Sequence, residues 1–585
     1  MTYPGTYRQE IDISEAIVND NTSIGVVMGR ALQGIPNSKV LVRSEAELIN
    51  KFGKPIVSGS HPLVSAIDYG IYAGIYALQD TSKLWYVRLT DGSERYSNAT
   101  ISTSVSSTSS ATVSVLKAAP STSYPNLVGY TEGNTTSDNY DLRSFNGLPT
   151  GLRFSAKGPG IYGNNLAVAI YTKAVSSTSL SAKFDWANLY DDASVSANKK
   201  SDKIFKVEVF TKVSNQNFDA TWWSSVSGSP IESFYVSTDF TLLDNLGNSL
   251  FIEDVINSTS EYVYVTSNKT DGSLPAFTTS GIGFSGGVDA TNLTTLTATT
   301  VWNLFANKET SPMSVAIVIP RAMNTYSDPS EVAAIDGLES KRLDFTGYVQ
   351  ATSLTATDFD TIKTNASLVS IASNPSYFGK YVGWHLVLDR YNSSRVYLPN
   401  CIFAGQISLR CDRIGRTWDA PAGIERGILP SGIQNVNLTP DVAGDLYSQF
   451  NLNTVKFLNG RGYVMWGQKT AQLKATARDR LNVRKLLIAI ENNSEAILNN
   501  FIFQGNSRRN RERVTSLLNS YMQTVLAGEG VDSYRVICDD SNNTTATINQ
   551  NILNVDIWVQ PTKTIEFIKL RVVITSDSVS VNEGA

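Results

Sequence analysis

The chain has 585 residues, 42% of them hydrophobic and 17% charged, with a formal net charge of −4. That length exceeds a single hydrophobic core and predicts about three to four domains. The composition excludes a disordered chain, and the charge excludes global steering toward nucleic acid.

Residues 1–20 read as a polar arm. Ile11 and Ile13 alternate with Glu10, Asp12 and Ser14, the period of a half-buried strand. The opening MTYPGTYRQEIDIS has neither the basic nor the apolar region of a signal peptide. Ile24–Gly29 is wholly apolar, as expected of a strand buried on both faces. Ser44 and Glu47 have capping-box spacing and predict a helix start. Residues His61–Leu78 read as helix and Leu84–Arg88 as strand, so this part alternates like an α/β unit.

From about residue 96 the chain turns Ser/Thr-rich and helical periodicity vanishes. Ile204–Val213, Ser233–Thr238 and Glu261–Thr266 alternate, predicting an antiparallel β module with one wet face. Phe154–Tyr171 between these stretches reads as core. After Gly287 α/β character returns: a short helix over Thr300–Lys308, a buried strand at Ser314–Pro320, and a helix over Pro329–Arg342 ahead of another strand. Strands at Trp384–Leu388 and Arg395–Leu398 follow, and then a Gly/Pro-rich loop from Asp412 to Val436.

The last quarter is the most regular. Leu481–Phe503 and Arg511–Leu526 carry apolar residues at helical spacing, the second at Val514, Leu517, Leu518, Tyr521, Met522 and Val525. Gly528 is expected to stop the second helix as its C′ residue. Three strands are predicted after it, Tyr534–Cys538, Val555–Val559 and Thr564–Thr575. Two helices over three strands leave open sheet edges, which call for a cover or a partner.

Few residues point to chemistry. The cysteines Cys401, Cys411 and Cys538 lack metal-type spacing and read as free thiols in a reducing compartment. Two histidines, His61 and His385, leave little for a triad or zinc site. No apolar run approaches the length of a membrane span. Gly158, Gly160 and Gly163 give a lone G-x-G-x-x-G, without the helix and downstream acid a dinucleotide site needs; a structural turn is the simpler reading. The sharpest charge feature is Lys474, Arg478, Arg480, Arg484 and Lys485 around one helix start, where basic charge opposes the macrodipole. It reads first as a solvated face, second as a surface for an acidic partner and third, with no aromatic residues interleaved, as a nucleic-acid contact. Arg508, Arg509, Arg511 and Arg513 open the next helix.

The order of motifs resembles the contractile-tail sheath proteins of phages and related injection machines. GPGIYGNN (Gly158–Asn165) is similar to the family's Pro-Gly-x-Trp-Gly-Asn turn, with Tyr162 in the Trp position. GGVDA (Gly286–Ala290) resembles its Gly-Gly-x-Asp segment. YFGKYVGWHLVLD (Tyr377–Asp389), AGQISLRCDRIGRTWDAPAG (Ala404–Gly423), NLNTVKFLNGRGYVMWGQKT (Asn451–Thr470), LNVRKLLIAIE (Leu481–Glu491) and the closing VDIWVQPTKTIEFIKLRVVIT follow in family order. Arg511 stands where the family usually has Trp, and Ser/Thr-rich segments replace Ala-rich insertions.

The resemblance implies an α/β multidomain chain. Its parts would be an exchanged arm at 1–20, a middle α/β domain at 21–95 and 281–440, and outward β-rich, sandwich- or barrel-like insertions at 96–280 interrupted near 154–171. An α+β two-layer sheath domain at 441–585 would face an inner tube. The implied role is structural: hexameric rings of the chain with itself, stacked around a tail tube protein and bounded by baseplate and tail terminator or neck proteins. A virion tail assembled in the host cytoplasm would be its place. No catalytic, cofactor or metal site is expected, nor direct nucleic-acid contact or stable membrane insertion. Tyr7, Glu10, Ile11, Asp12 and Ile13 would form the inter-subunit arm strand. Ile565, Phe567, Ile568, Leu570, Val572 and Ile574 would form the donated C-terminal strand. The basic group Lys474, Arg478, Arg480, Arg484 and Lys485 would face the tube. The competing readings are a β-rich virion protein that binds cell surfaces and, on Gly158–Gly163, a nucleotide-binding enzyme.

Overall fold

The computed structural model describes residues 23–55, 69–90, 94–102, 116–117, 151–172, 200–211, 230–267, 275, 282–288, 301–414 and 416–569. The expected arm residues Tyr7 to Ile13, the start of the His61–Leu78 helix, and Leu570, Val572 and Ile574 lie outside them. The chain divides into two compact units, one holding residues 21–415 and 421–474, the other 416–420 and 475–585.

The larger unit is built on the strand Ile24–Gly29. Its six residues are all buried, as an unbroken apolar run requires. Lys83–Arg88 and Val315–Val318 pair with it in parallel on either side. Thr346–Gln350, Phe378–Tyr381 and Leu452–Asn453 continue the sheet in parallel, and Lys39–Val42 closes the other edge antiparallel. Ser44 caps the helix Glu45–Phe52 as expected, accepting from the Glu47 N–H, but the Glu47 carboxylate returns to the Arg43 N–H (2.8 Å) instead of to the cap residue.

A helix the periodicity does not announce, Asn400–Arg413, lies against the sheet. A Cβ on its Gly405 would stand 2.6 Å from Ile317, so only glycine allows that approach. Tyr69–Ala77 packs beside it, and the Asp80 carboxylate just beyond ties the two helices. It accepts from Gln406 Nε2 (3.0 Å), Arg410 Nε and Nη2 (3.1 and 2.9 Å) and Arg413 Nη2 (3.2 Å).

The β-rich part forms two antiparallel sheets. Ile282–Gly283, Leu166–Tyr171, Ile204–Thr211 and Glu232–Ser237 make one; Val263–Ser267, Gly151–Ala156 and Asn98–Ser102 make the other. Phe154, Val168, Phe205, Val207 and Val265 share one core. The expected wet face is absent from Ile204–Thr211, whose first seven residues are all buried. On its second face Ile204 and Phe210 pack with Tyr171, Leu242 and Leu250. The polar residues that mimic a solvent face are paired there: Lys206 and Glu208 approach to 3.3 Å, and the Lys206 ammonium sits 5.3 Å from the Tyr235 ring.

Buried His385 lies on the strand Trp384–Asp389. Its Nε2–H donates to the Pro430 carbonyl (2.8 Å) and its Nδ1 accepts from Gln434 Nε2 (3.1 Å), a pattern that needs a neutral ring. Burial holds its pKa below 6.5, against a smaller upward pull from the Pro430 carbonyl. The unfolded chain therefore takes up this proton at higher pH than the folded one. The residue's contribution to stability is complete above pH 6.5 and is lost as pH falls from there toward the folded value. The wild-type thermal midpoint is expected to drop more between about pH 7.5 and about pH 5.5 than that of a His385→Gln variant. Equal slopes in differential scanning calorimetry contradict this.

In the smaller unit the helices Leu481–Asn499 and Arg508–Ala527 pack on an antiparallel hairpin of Val531–Ile537 and Asp556–Pro561. Leu486, Ile490, Met522, Val525 and Val531 form one core cluster; Ile497, Val514, Leu518 and Cys538 form another. The helix stop differs from expectation. Gly528 has φ −81, and it is Glu529, with φ 59, that takes the left-handed conformation. Of the expected third strand, Thr564–Thr575, the described part up to residue 569 forms neither helix nor strand, and the rest lies outside the described residues.

Candidate assembly interface

Trp418 organises one end of the smaller unit. Its indole Nε1 donates to the Gly528 carbonyl (2.8 Å), just past the second helix. A Cβ on Gly528 or Gly530 would stand 2.7 or 3.1 Å from the indole ring. These glycines are thus a seat for an aromatic side chain, which explains a glycine at the helix end without left-handed backbone.

Beside this seat the chain leaves the hairpin. Thr562 still bonds to it, through its N–H to the Gly530 carbonyl (3.2 Å) and its hydroxyl to Asp532 (2.7 Å). Beyond this point the burial is inverted. Ile565, Phe567 and Ile568 are 84%, 78% and 86% exposed, whereas the acid Glu566 turns inward. Glu566 accepts from Arg480 Nε (2.7 Å) and Nη2 (2.9 Å), a bidentate pair. Ile557 and Val559 of the hairpin pack toward the helices, while Trp558, opposite Arg535, is exposed on the other face.

Residues 474–575 match the family model of the phage tail sheath C-terminal domain. The smaller unit carries a tail sheath domain. The chain is 28% identical over 381 residues to the tail sheath protein of Vibrio phage KVP40, covering 60% of this chain and 54% of that protein. It is 30% identical over 195 residues to the tail sheath protein of Enterobacteria phage T4, covering 33% and 30%. This chain thus spans about half or less of the length of these relatives. The crystal structure of a sheath tail protein from Listeria innocua shares its fold, with TM-score 0.51, 12% identity and 92% of each chain covered.

The basic residues of the sheath domain do not form one exposed patch. Arg478 is exposed, Arg480 is held by Glu566 and by Asp479 (3.0 Å), and Arg484 and Lys485 are buried. Lys474, exposed, belongs to the larger unit. In the second basic group Arg511 is buried, donating to Asp540 (2.6 Å) and to the Asn506 side chain (3.0 Å). Arg508 pairs with Glu512 (3.0 Å) one turn on.

In the larger unit the G-x-G-x-x-G is a clasp between segments. The Gly158 N–H donates to the Tyr162 hydroxyl (2.9 Å), and Ile161–Asn165 is a single 3-10 turn. Asn164 accepts from the Gly287 N–H (2.9 Å) and donates to the Gly287 carbonyl (3.1 Å). The turn therefore grips the GGVDA segment, a pairing that the two motifs read separately do not reveal. Among the described residues no three His, Cys, Asp or Glu side chains gather as a metal-holding group.

Proposed function

We propose that this chain is a structural, non-enzymatic subunit of a contractile tail sheath. Copies assemble as stacked hexameric rings around an inner tube, with baseplate and neck components at the ends, and contraction drives the tube forward. The observation that carries this reading is the inverted segment beside the terminal hairpin: Ile565, Phe567 and Ile568 face solvent next to a sheet that has two strands among the described residues. Burying such side chains stabilises by about 1.5–3 kcal/mol each, so a strand donated to a neighbour's sheet edge gains what the single subunit forgoes. The arm at Tyr7, Glu10, Ile11, Asp12 and Ile13 supplies a second exchanged strand, and Leu570, Val572 and Ile574 continue the donated one. Lys474 and Arg478, the exposed members of the basic group, carry the contact with the tube. Contraction exchanges one packing of the lattice for another with more buried surface between subunits.

Removing residues 562–585 is expected to leave a folded, soluble chain that forms no tubes. Circular dichroism checks the fold, and negative-stain microscopy checks assembly. Normal tubes from the truncated chain refute strand donation.

A further inference from the structure

The Arg480–Glu566 pair joins the first turn of the sheath domain to the segment that carries its exposed apolar residues. Both partners are largely shielded, with 22% and 17% of their side chains exposed. The geometry is bidentate, and the two residues lie 86 positions apart in the chain. Glu566 is the inward-facing residue between two exposed apolar neighbours, so the ion pair holds a segment that has little apolar reason to stay.

Resting on the strand-donation reading, we infer that Arg480 is a socket used twice. In the single subunit it holds the chain's own Glu566. In the polymer it accepts Glu566 of a second copy, whose Ile565 and Phe567 become covered in the same event. An element exchanged between identical chains re-forms its original contacts, so the ion pair is kept across the exchange and only the apolar burial is new. The bidentate fork also sets register. A strand slipped by one residue presents an apolar side chain to the guanidinium, and the sheet loses its pairing face. Arg480 thereby selects this chain's own C-terminal segment over other exposed strands.

Charge-reversal mixing tests this with the full chain. Arg480→Glu and Glu566→Arg each place like charges together, and each alone is expected to lower tube yield at least tenfold. Mixed one to one, the two variants are expected to assemble, because each donates to the other's complementary socket and donors can alternate along the lattice. The double variant is expected to assemble alone. Assembly by the double variant but not by the mixture means that the pair stays within each chain, which overturns the inference. Wild-type yield from either single variant overturns it as well. If the reversed variants do not fold, an Arg480→Cys/Glu566→Cys chain decides. Oxidised in tubes, it gives a covalent ladder between chains if the inference holds, and only closed single chains if it does not. The 562–585 truncation separates the levels: tubes without those residues refute strand donation itself, while loss of tubes together with failed mixing refutes only the exchanged pair.

Discussion

Replacing Gly158 with valine is expected to destabilise the larger unit by about 3 kcal/mol. A Cβ at this position would stand 2.1 Å from the Gly34 carbonyl oxygen and 2.7 Å from its carbon. Both are backbone atoms, so no rotamer change relieves the clash. The Arg88 guanidinium, 3.2 Å away, is itself anchored by a bond to the same Gly34 carbonyl (2.7 Å). Something must therefore move as a body, either the turn 158–163 or the segment around Gly34. The same turn grips Gly287, where a Cβ would stand 2.3 Å from the Gly160 carbonyl, so displacement propagates into the β-rich sheets. The contrast is Gly337→Ala. Gly337 sits inside the helix Pro329–Arg342, and a methyl added there would meet nothing within 4 Å. Alanine at that position is expected to stabilise by up to about 1 kcal/mol through helix propensity. Opposite shifts of the urea midpoint check both. A Gly158→Val chain with the wild-type midpoint contradicts the clasp.

How much of this was legible in the sequence depends on whether a residue's neighbours are local. Ile24–Gly29 announced itself because burial on both faces demands an unbroken apolar run. The terminal helices were legible because Val514, Leu518, Met522 and Val525 stand on one face and polar residues on the other. The helix Asn400–Arg413 was not, because nearly all its positions are buried and no amphipathic period survives. Lys206 and Glu208 alternate with apolar residues as a wet face would, and only the folded chain shows them buried and paired with each other beside the Tyr235 ring. A run of basic residues likewise carries no information on exposure: Arg478 and Arg484 are six residues apart, one exposed and the other buried. The terminal segment misled in a more useful way. Its β-branched and aromatic composition predicts a strand, and the single chain makes none from residues 562–569. Strand propensity reports fitness for a pleated, half-buried surface, whichever chain supplies that surface.

Trp418→Ala is expected to destabilise the sheath domain by about 3 kcal/mol. The indole is half-buried, so the loss falls toward the lower end for large aromatic truncations. It has two separable parts. The first is the bond from Nε1 to the Gly528 carbonyl, worth about 1 kcal/mol, whose loss leaves that carbonyl with a long bond from Arg416 Nη2 (3.4 Å). The second is the ring's packing against Gly528 and Gly530 and beside Leu486, Met522 and Val525. Trp418→Phe keeps most of the ring contact and loses only the bond, so it is expected to recover about two thirds of the loss. Because Gly530 also receives the Thr562 N–H, the seat of the indole and the root of the terminal segment share one turn. Loosening it should fray the hairpin where the terminal segment leaves it. Hydrogen exchange is expected to show faster exchange at the Gly530 and Thr562 amides in Trp418→Ala than in Trp418→Phe, with amides of the helix Leu481–Asn499 changing less. Uniform acceleration across the domain would mean that Trp418 only adds global stability and has no particular hold on the terminal segment.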